Sequence, residues 1–363
     1  MATLHTDVPA RTDVTLHLLR DRIRAAAAAR TPLRLRGAGT KDFYGERLAG
    51  EILDTRIHSG IVSYDPSELV LSARCGTPLS ELTPVLDEHH QFFAFEPPRF
   101  GRDPTIGGVV AAGLSGPRRA SVGAVRDFVL GANLLTAQGE LLRFGGQVMK
   151  NVAGFDVSRM LCGSLGILGL ITEISLKVLP RPRADATLRF EMDAAMAIER
   201  FNRWSAQPLP ISATAWCNDH AYVRLSGARS AVQTAQATLG GEAVDEDVTH
   251  HWWRGVRDQT LDVFRVTPRL WRVSLPSTAV FDIPGVLLIE WAGALRWLAS
   301  DAPAQDVRAA AERASGSAML WRGTRDTTMF APLDAASLAL HRRLKQQFDP
   351  HGIFNPGRMI ADL

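Results

Sequence analysis

Apolar residues recur at helical spacing near the start of the chain: Leu16, Leu19 and Ile23 stand at i, i+3 and i+7, and Ala25 to Ala29 add strong helix propensity. This predicts a helix from Asp13 to Arg30, stopped at Pro32. Short apolar runs bounded by turn residues predict strands at Leu33 to Arg36, Gly50 to Asp54, Ile61 to Ser63 and Glu68 to Ala73. A helix is expected from Gly76 to His90, strands at Val129 to Thr136 and Leu141 to Phe144, a loop and helix over Asn151 to Leu165, and a β-branched strand at Gly169 to Val178.

Leu179-Pro180-Arg181-Pro182 is the clearest boundary. Beyond it, strand-like stretches (Thr187 to Glu191, Ile211 to Trp216, Ala221 to Leu225, Trp271 to Leu275, Val286 to Trp291) mix with helical ones (Ala194 to Ser205, Ser230 to Leu239, Ala304 to Ala314). The expected architecture is α+β: a domain over 1–182, a small α+β cap on an antiparallel sheet over 183–334, and a C-terminal segment, 335–363, that returns to the first domain. A chain of 363 residues has room for two domains.

With 41 basic and 38 acidic residues the charge is nearly balanced, which argues against a nucleic-acid binder. The three cysteines, Cys75, Cys162 and Cys217, form no Cys-x-x-Cys, so neither an iron–sulfur cluster nor a zinc site is expected from this chain, and a reducing compartment fits. The N-terminus lacks a signal-peptide pattern and no apolar run reaches the roughly 20 residues that span a bilayer, so a cytoplasmic protein is expected, with membrane association only through partner subunits.

Two segments carry the chemistry. Arg36-Gly37-Ala38-Gly39-Thr40-Lys41 follows a strand, and a tight glycine turn there presents backbone N–H groups to a diphosphate. Asp42 takes the place of the third glycine of a Gly-x-Gly-x-x-Gly fingerprint, which disfavours a Rossmann domain. The second segment, Thr105 to Gly116, is rich in small residues, as a lining for a planar ring requires, or as a glycine-rich helix start packed on a sheet would also be.

The two segments, with Val125-Arg-Asp-Phe-Val-Leu-Gly, Lys150-Asn-Val-Ala-Gly-Phe-Asp, Gly163-Ser-Leu-Gly-Ile-Leu-Gly-Leu-Ile-Thr-Glu and Asp349-Pro-His-Gly-Ile-Phe-Asn-Pro-Gly-Arg, resemble the FAD domain of the vanillyl-alcohol oxidase/p-cresol methylhydroxylase (PCMH) superfamily. Val148 to Arg159, Leu270-Trp-Arg-Val-Ser-Leu-Pro and His251-Trp-Trp-Arg are similar to the FAD-binding E subunits of bacterial glycolate oxidases. The resemblance implies a two-part FAD domain plus a small cap. It places the pyrophosphate at Arg36, Gly37, Ala38, Gly39, Thr40 and Lys41, and the diphosphate and flavin ring at Thr105, Ile106, Gly107 and Gly108. Ser115 and Gly116 continue along the cofactor, Ile171 offers its backbone to the adenine, and Asn355 returns to the flavin edge.

Thr40 stands where covalent members carry a histidine, and no cysteine precedes the second loop, so non-covalent FAD is expected; Leu165 replaces a glutamate that is frequent in the superfamily. The implied partners are a larger FAD-containing subunit and an iron–sulfur subunit, and the implied substrate is a small 2-hydroxy acid. Arg272 and Arg322, each beside a tryptophan, are the candidates to hold its carboxylate. No metal site is expected: His250 and His251 are adjacent and point apart. Three readings stay open: a catalytic subunit, a non-catalytic FAD-binding scaffold or electron relay, and a stand-alone dehydrogenase for another hydroxy acid.

Overall fold

The computed structural model describes residues 9–101, 103–146, 156–265 and 267–363. The chain divides into two compact units. The first comprises 1–114, 124–181 and 333–363; the second comprises 115–123 and 182–332. The excursion over 115–123, which leaves the first unit for the second, had no separate place in the sequence expectation.

The first unit opens with the Pro9–Ala29 helix. Leu19 and Ile23, the apolar positions read from the pattern, are buried in one cluster with Leu33, Leu53, Leu135 and Phe354. Strands β1 (Leu33–Arg36) and β2 (Glu51–Asp54) pair in parallel. Strands β3 (Ile61–Asp65), β4 (Val70–Arg74), β6 (Val129–Leu135), β7 (Leu141–Gly145) and β8 (Leu170–Lys177) form an antiparallel sheet in the order β3-β4-β8-β6-β7, while β5 (Gln91–Phe92) pairs with β9 (Leu179–Pro180). The Ile106–Ala112 helix lies in the glycine-rich second segment, so the structure gives that segment the helix start that composition had left as one of two readings. Of the loop and helix expected over 151–165, the structure describes a single turn, Val157–Met160; the Lys150 to Gly154 part of the motif lies outside the described residues.

The second unit is built on β10 (Ala184–Glu191), β11 (Ile211–Cys217), β12 (His220–Gly227), β13 (Glu242–Ala243), β14 (Leu270–Ser274), β15 (Val286–Glu290), β16 (Leu295–Ala299) and β17 (Ser317–Arg322). They form one antiparallel sheet in the order β13-β10-β12-β11-β15-β16-β14-β17. One core gathers Phe201 and Trp204 of the Ala194–Ser205 helix against Val223 and Leu225; another gathers Val307 and Ala311 of the Ala304–Arg313 helix against Trp271, Val273 and Leu298. The sequence pattern missed the Glu246–Asp258 helix and β16; the helix is polar on its exposed side, and Trp253 anchors it by donating Nε1–H to Thr187 Oγ1 at 2.9 Å.

Candidate cofactor site

The first unit contains two adjoining pockets, both lined by Leu35, Arg36, Gly37, Gly108, Ala111, Leu165 and Asn355. Sharing these residues, the two make one continuous slot.

The waist of the slot is bare backbone for a steric reason. A Cβ on Gly37 would lie 2.2 Å from Thr105 Oγ1, and one on Gly107 would lie 2.8 Å from the Cys75 carbonyl oxygen. Thr105 caps the Ile106–Ala112 helix, its Oγ1 accepting from Gly108 N–H at 3.3 Å. The Thr105 side chain therefore leaves no room for one at Gly37, and Cys75 leaves none at Gly107. Gly39 takes φ +71°, a conformation open to glycine, and Arg36 packs where its side chain would stand.

Asp42, which the sequence offered only as the departure from a fingerprint, ties down two cations. Its Oδ2 accepts from Arg34 Nη2 at 2.6 Å and from Arg36 Nε and Nη2 at 2.9 Å. The loop is clamped from the other end of the chain by Arg358, which is buried and whose Nη2 donates to the carbonyls of Lys41, Asp42 and Tyr44. The wider cavity thus carries Arg34, Arg36, Lys41, Arg47 and Arg358 against one carboxylate, Asp42, a balance that favours an anion.

The C-terminal segment makes a single parallel bridge to β1 at Phe354: Leu33 N–H donates to Ile353 O at 2.7 Å, and Asn355 N–H donates to Leu33 O at 2.8 Å. Asn355 then spans the slot floor. Its Oδ1 accepts from Leu35 N–H at 2.8 Å, and its Nδ2 donates to Leu165 O at 2.7 Å. Asn355 has φ +42° and Leu165 φ +52°, so both sit in left-handed geometry, tolerated by asparagine and uncommon for leucine. Leu165, where a glutamate is frequent in the superfamily, contributes its carbonyl.

Behind Asn355 lies an ion pair. Lys345, on the Ala335–Phe348 helix, is buried and donates to Asp349 Oδ2 at 2.7 Å, Ile167 O at 2.7 Å and Phe354 O at 2.8 Å. Asp349 accepts from the N–H groups of Ile353 and Phe354 at 3.1 and 2.8 Å. Burial pulls the Lys345 ammonium below its ordinary range, with the Asp349 carboxylate opposing.

All the first-loop residues, Arg36 to Lys41, line the wider cavity, as do Thr105 and Gly108; Gly107 and Ile171 line the narrower one, and Ile106 is buried without lining either. Ser115 and Gly116 belong to the second unit, where Gly116 O accepts from Trp291 Nε1 at 3.2 Å. Arg272 on β14 and Arg322 on β17 are also in the second unit: Arg272 Nη1 donates to Ser274 Oγ at 3.3 Å, and Arg322 Nη1 donates to Phe264 O at 2.7 Å. Cys75 lines the narrower cavity, yet burial pushes its thiol up to about 12, so the sulfur stays protonated and is a poor nucleophile. His250 and His251 lie on the Glu246–Asp258 helix, and among the described residues no three His, Cys, Asp or Glu side chains group as metal ligands. No helix among the described residues is long and apolar enough to cross a membrane.

The slot's bare backbone and cationic lining suit a phosphate-bearing cofactor, and comparison with known proteins agrees. The FAD binding domain family matches residues 16–145, and the C-terminal domain of FAD linked oxidases matches residues 323–359, the stretch that carries Lys345, Asp349, Asn355 and Arg358. Glycolate oxidase subunit GlcE of Escherichia coli (strain K12) is 47% identical over 95% of this chain and 97% of its own. Glycolate oxidase subunit GlcD of Bacillus subtilis (strain 168) is 30% identical over 44% of this chain and 34% of its own. The crystal structure of p-cresol methylhydroxylase with substrate bound is 13% identical, yet it matches 96% of this chain and 87% of its own with a TM-score of 0.69, which shows the shared fold. The cofactor is FAD, and the fold is the PCMH type.

Proposed function

Because the chain belongs to the family of the glycolate oxidase subunit GlcE, and so to the FAD-linked oxidoreductases, we propose that it is the FAD-binding subunit of a complex that oxidises glycolate to glyoxylate. The electrons then pass to an iron–sulfur partner, and a larger FAD-containing subunit, of the kind named GlcD in Bacillus subtilis, completes the assembly. The protein is cytoplasmic and meets a membrane only through such partners.

The observation that carries this reading is the closure of the slot by Asn355 between Leu35 and Leu165. When bound, FAD supplies the hydride acceptor for oxidation of a 2-hydroxy acid. The chain's own part is to hold it. The amides of Arg36 to Lys41 and the start of the Ile106–Ala112 helix face the diphosphate, and β8 at Ile171 offers backbone to the adenine. Asn355 would meet the flavin edge. Thr40 lines the slot where a linking side chain would stand, so the attachment is non-covalent. Arg272, with Arg322 as the alternative, binds the substrate carboxylate. Domains run over 1–182, 183–334 and 335–363, with 115–123 joined to the second.

Co-purification with neighbouring subunits, followed by anaerobic glycolate titration of the isolated chain and of the assembly, tests the reading. Bleaching of the flavin in both preparations supports a catalytic subunit. Bleaching in the assembly alone makes this chain a scaffold or relay. A chain that stays colourless with excess FAD overturns the proposal.

A further inference from the structure

Among the residues that line both pockets of the slot, Leu35 and Leu165 bring the large apolar side chains. Leu35 leans on the core gathered round Leu19 and Ile23. Leu165 has a different setting. From Ser164 to Thr172 every residue is buried except Leu165, which is half-buried. A leucine left open to a slot, inside a run otherwise closed to solvent, is apolar surface that folding alone has not covered.

The backbone at this leucine is in a costly conformation. Leu165 has φ +52°, in a turn where Gly163 and Gly166 take +82° and +73°. Glycine reaches this region freely, whereas a leucine there crowds its Cβ against the following carbonyl oxygen.

The turn is also fixed from two sides. Gly163 N–H donates to Val110 O at 3.1 Å and Leu165 N–H to Ala111 O at 2.9 Å, which ties it to the Ile106–Ala112 helix. The Leu165 carbonyl accepts from Asn355 Nδ2 at 2.7 Å, which ties it to the C-terminal segment. There is no slack at the next position either, where a Cβ on Gly166 would lie 2.8 Å from Asn355 Nδ2. Strain of this kind persists where the surroundings over-determine it, and it gathers at ligand clamps.

We propose that the Leu165 side chain is a contact surface for FAD where the two pockets meet, and that the left-handed turn is kept because it holds this side chain in the slot. An apolar side chain offers nothing to a diphosphate, which the amides and cations of the wider pocket serve. Leu165 therefore meets a carbon-bearing part of the cofactor, a ring or a sugar. This contact rests on the FAD reading above and gives the Leu165 side chain a role beside that of its carbonyl.

Two measurements on the full-length chain test it: the Kd for FAD, read by flavin fluorescence after the bound flavin has been removed, and the melting temperature without FAD. Leu165→Ala keeps the left-handed strain and deletes the contact, so FAD should bind about tenfold more weakly. Leu165→Gly deletes both. It should bind FAD as weakly, yet melt higher than Leu165→Ala, the reverse of the usual order for these two residues. Leu165→Asn is close to leucine in size and at ease in left-handed backbone, but polar, and should also lose about tenfold. Leu165→Met, apolar and similar in volume, should stay within about threefold of wild type.

FAD affinity within about twofold of wild type in both the Ala and Asn variants overturns the contact. A Gly variant that melts below the Ala variant overturns the strain. If the Ala or Gly variant fails to fold, the Asn and Met variants decide, and equal weakening in those two overturns the contact. A wild-type chain that takes up no FAD overturns the FAD reading and this contact together, whereas FAD bound equally by wild type and every variant overturns the contact alone.

Discussion

Lys345 and Asp349, four residues apart, meet inside the first unit at 2.7 Å, and between them they take up the carbonyls of Ile167 and Phe354 and the amides of Ile353 and Phe354. A buried pair so fully hydrogen-bonded is costly to break from one side, because the partner is left charged and unsatisfied. Lys345→Met should therefore lower stability by about 3–5 kcal/mol. Denaturant unfolding of the purified chain checks this, and a loss below 1 kcal/mol would show that the surroundings reorganise freely.

Asn355 predicts a different signature. Asn355→Ala removes one acceptor for Leu35 N–H and one donor to Leu165 O at the slot floor. Stability should fall by about 1–3 kcal/mol, with FAD affinity falling at least tenfold. Equilibrium dialysis of flavin against wild type and variant reads the second number directly.

The crowding between the glycine loops can be tested by suppression. Gly37→Ala places a methyl 2.2 Å from Thr105 Oγ1, so FAD retention should collapse. Gly37→Ala combined with Thr105→Ala removes the closest obstacle and should restore part of it. Equal flavin content in the single and double variants would mean that steric contact is not the cause.

Flavin release tests the mode of attachment. With Thr40 in the linking position and the Cys75 thiol held protonated, acid denaturation should send all flavin into the supernatant. Yellow colour remaining in the precipitate contradicts non-covalent binding.

His58 also carries a sharp expectation: it is buried beside Thr15, with Thr15 Oγ1 and His58 Nδ1 2.8 Å apart. Desolvation first, and the Arg74 charge second, lower its pKa from 6.5 to about 4. As pH falls, the unfolded chain takes up the proton before the folded one, so stability present above about 6.5 is lost progressively toward 4 and no further below it. The loss from this one group is at most about 3 kcal/mol. His58→Gln has no proton to gain, so its melting temperature should rise relative to wild type on going from neutrality to pH 4. A constant difference across that range would remove His58 as the cause.

Periodicity located Leu19, Ile23 and most strands because those signals are local and each strand buries its own apolar face. The glycine loops were legible through their resemblance to a known FAD domain, because the contacts that demand Gly37 and Gly107, with Thr105 and Cys75, are not local. Asp42 was legible only as an anomaly, since its role depends on Arg34 and Arg36 folding back onto it. The clamp formed by Lys345 and Arg358 joins positions that no periodic pattern connects, and the left-handed pair Trp291-Ala292 lies in what reads as the end of an ordinary strand.

The bond from Leu35 to Asn355 joins residues 320 positions apart. During synthesis, at about 5–20 residues per second, both glycine loops leave the ribosome long before their floor exists. A nascent chain at that stage has no Asn355 to brace the pocket and no Arg358 to draw in the Lys41 loop. Flavin capture is thereby deferred until the intervening unit has been made, and acquisition of colour becomes a natural timestamp for the moment when translation has passed the last of these contacts.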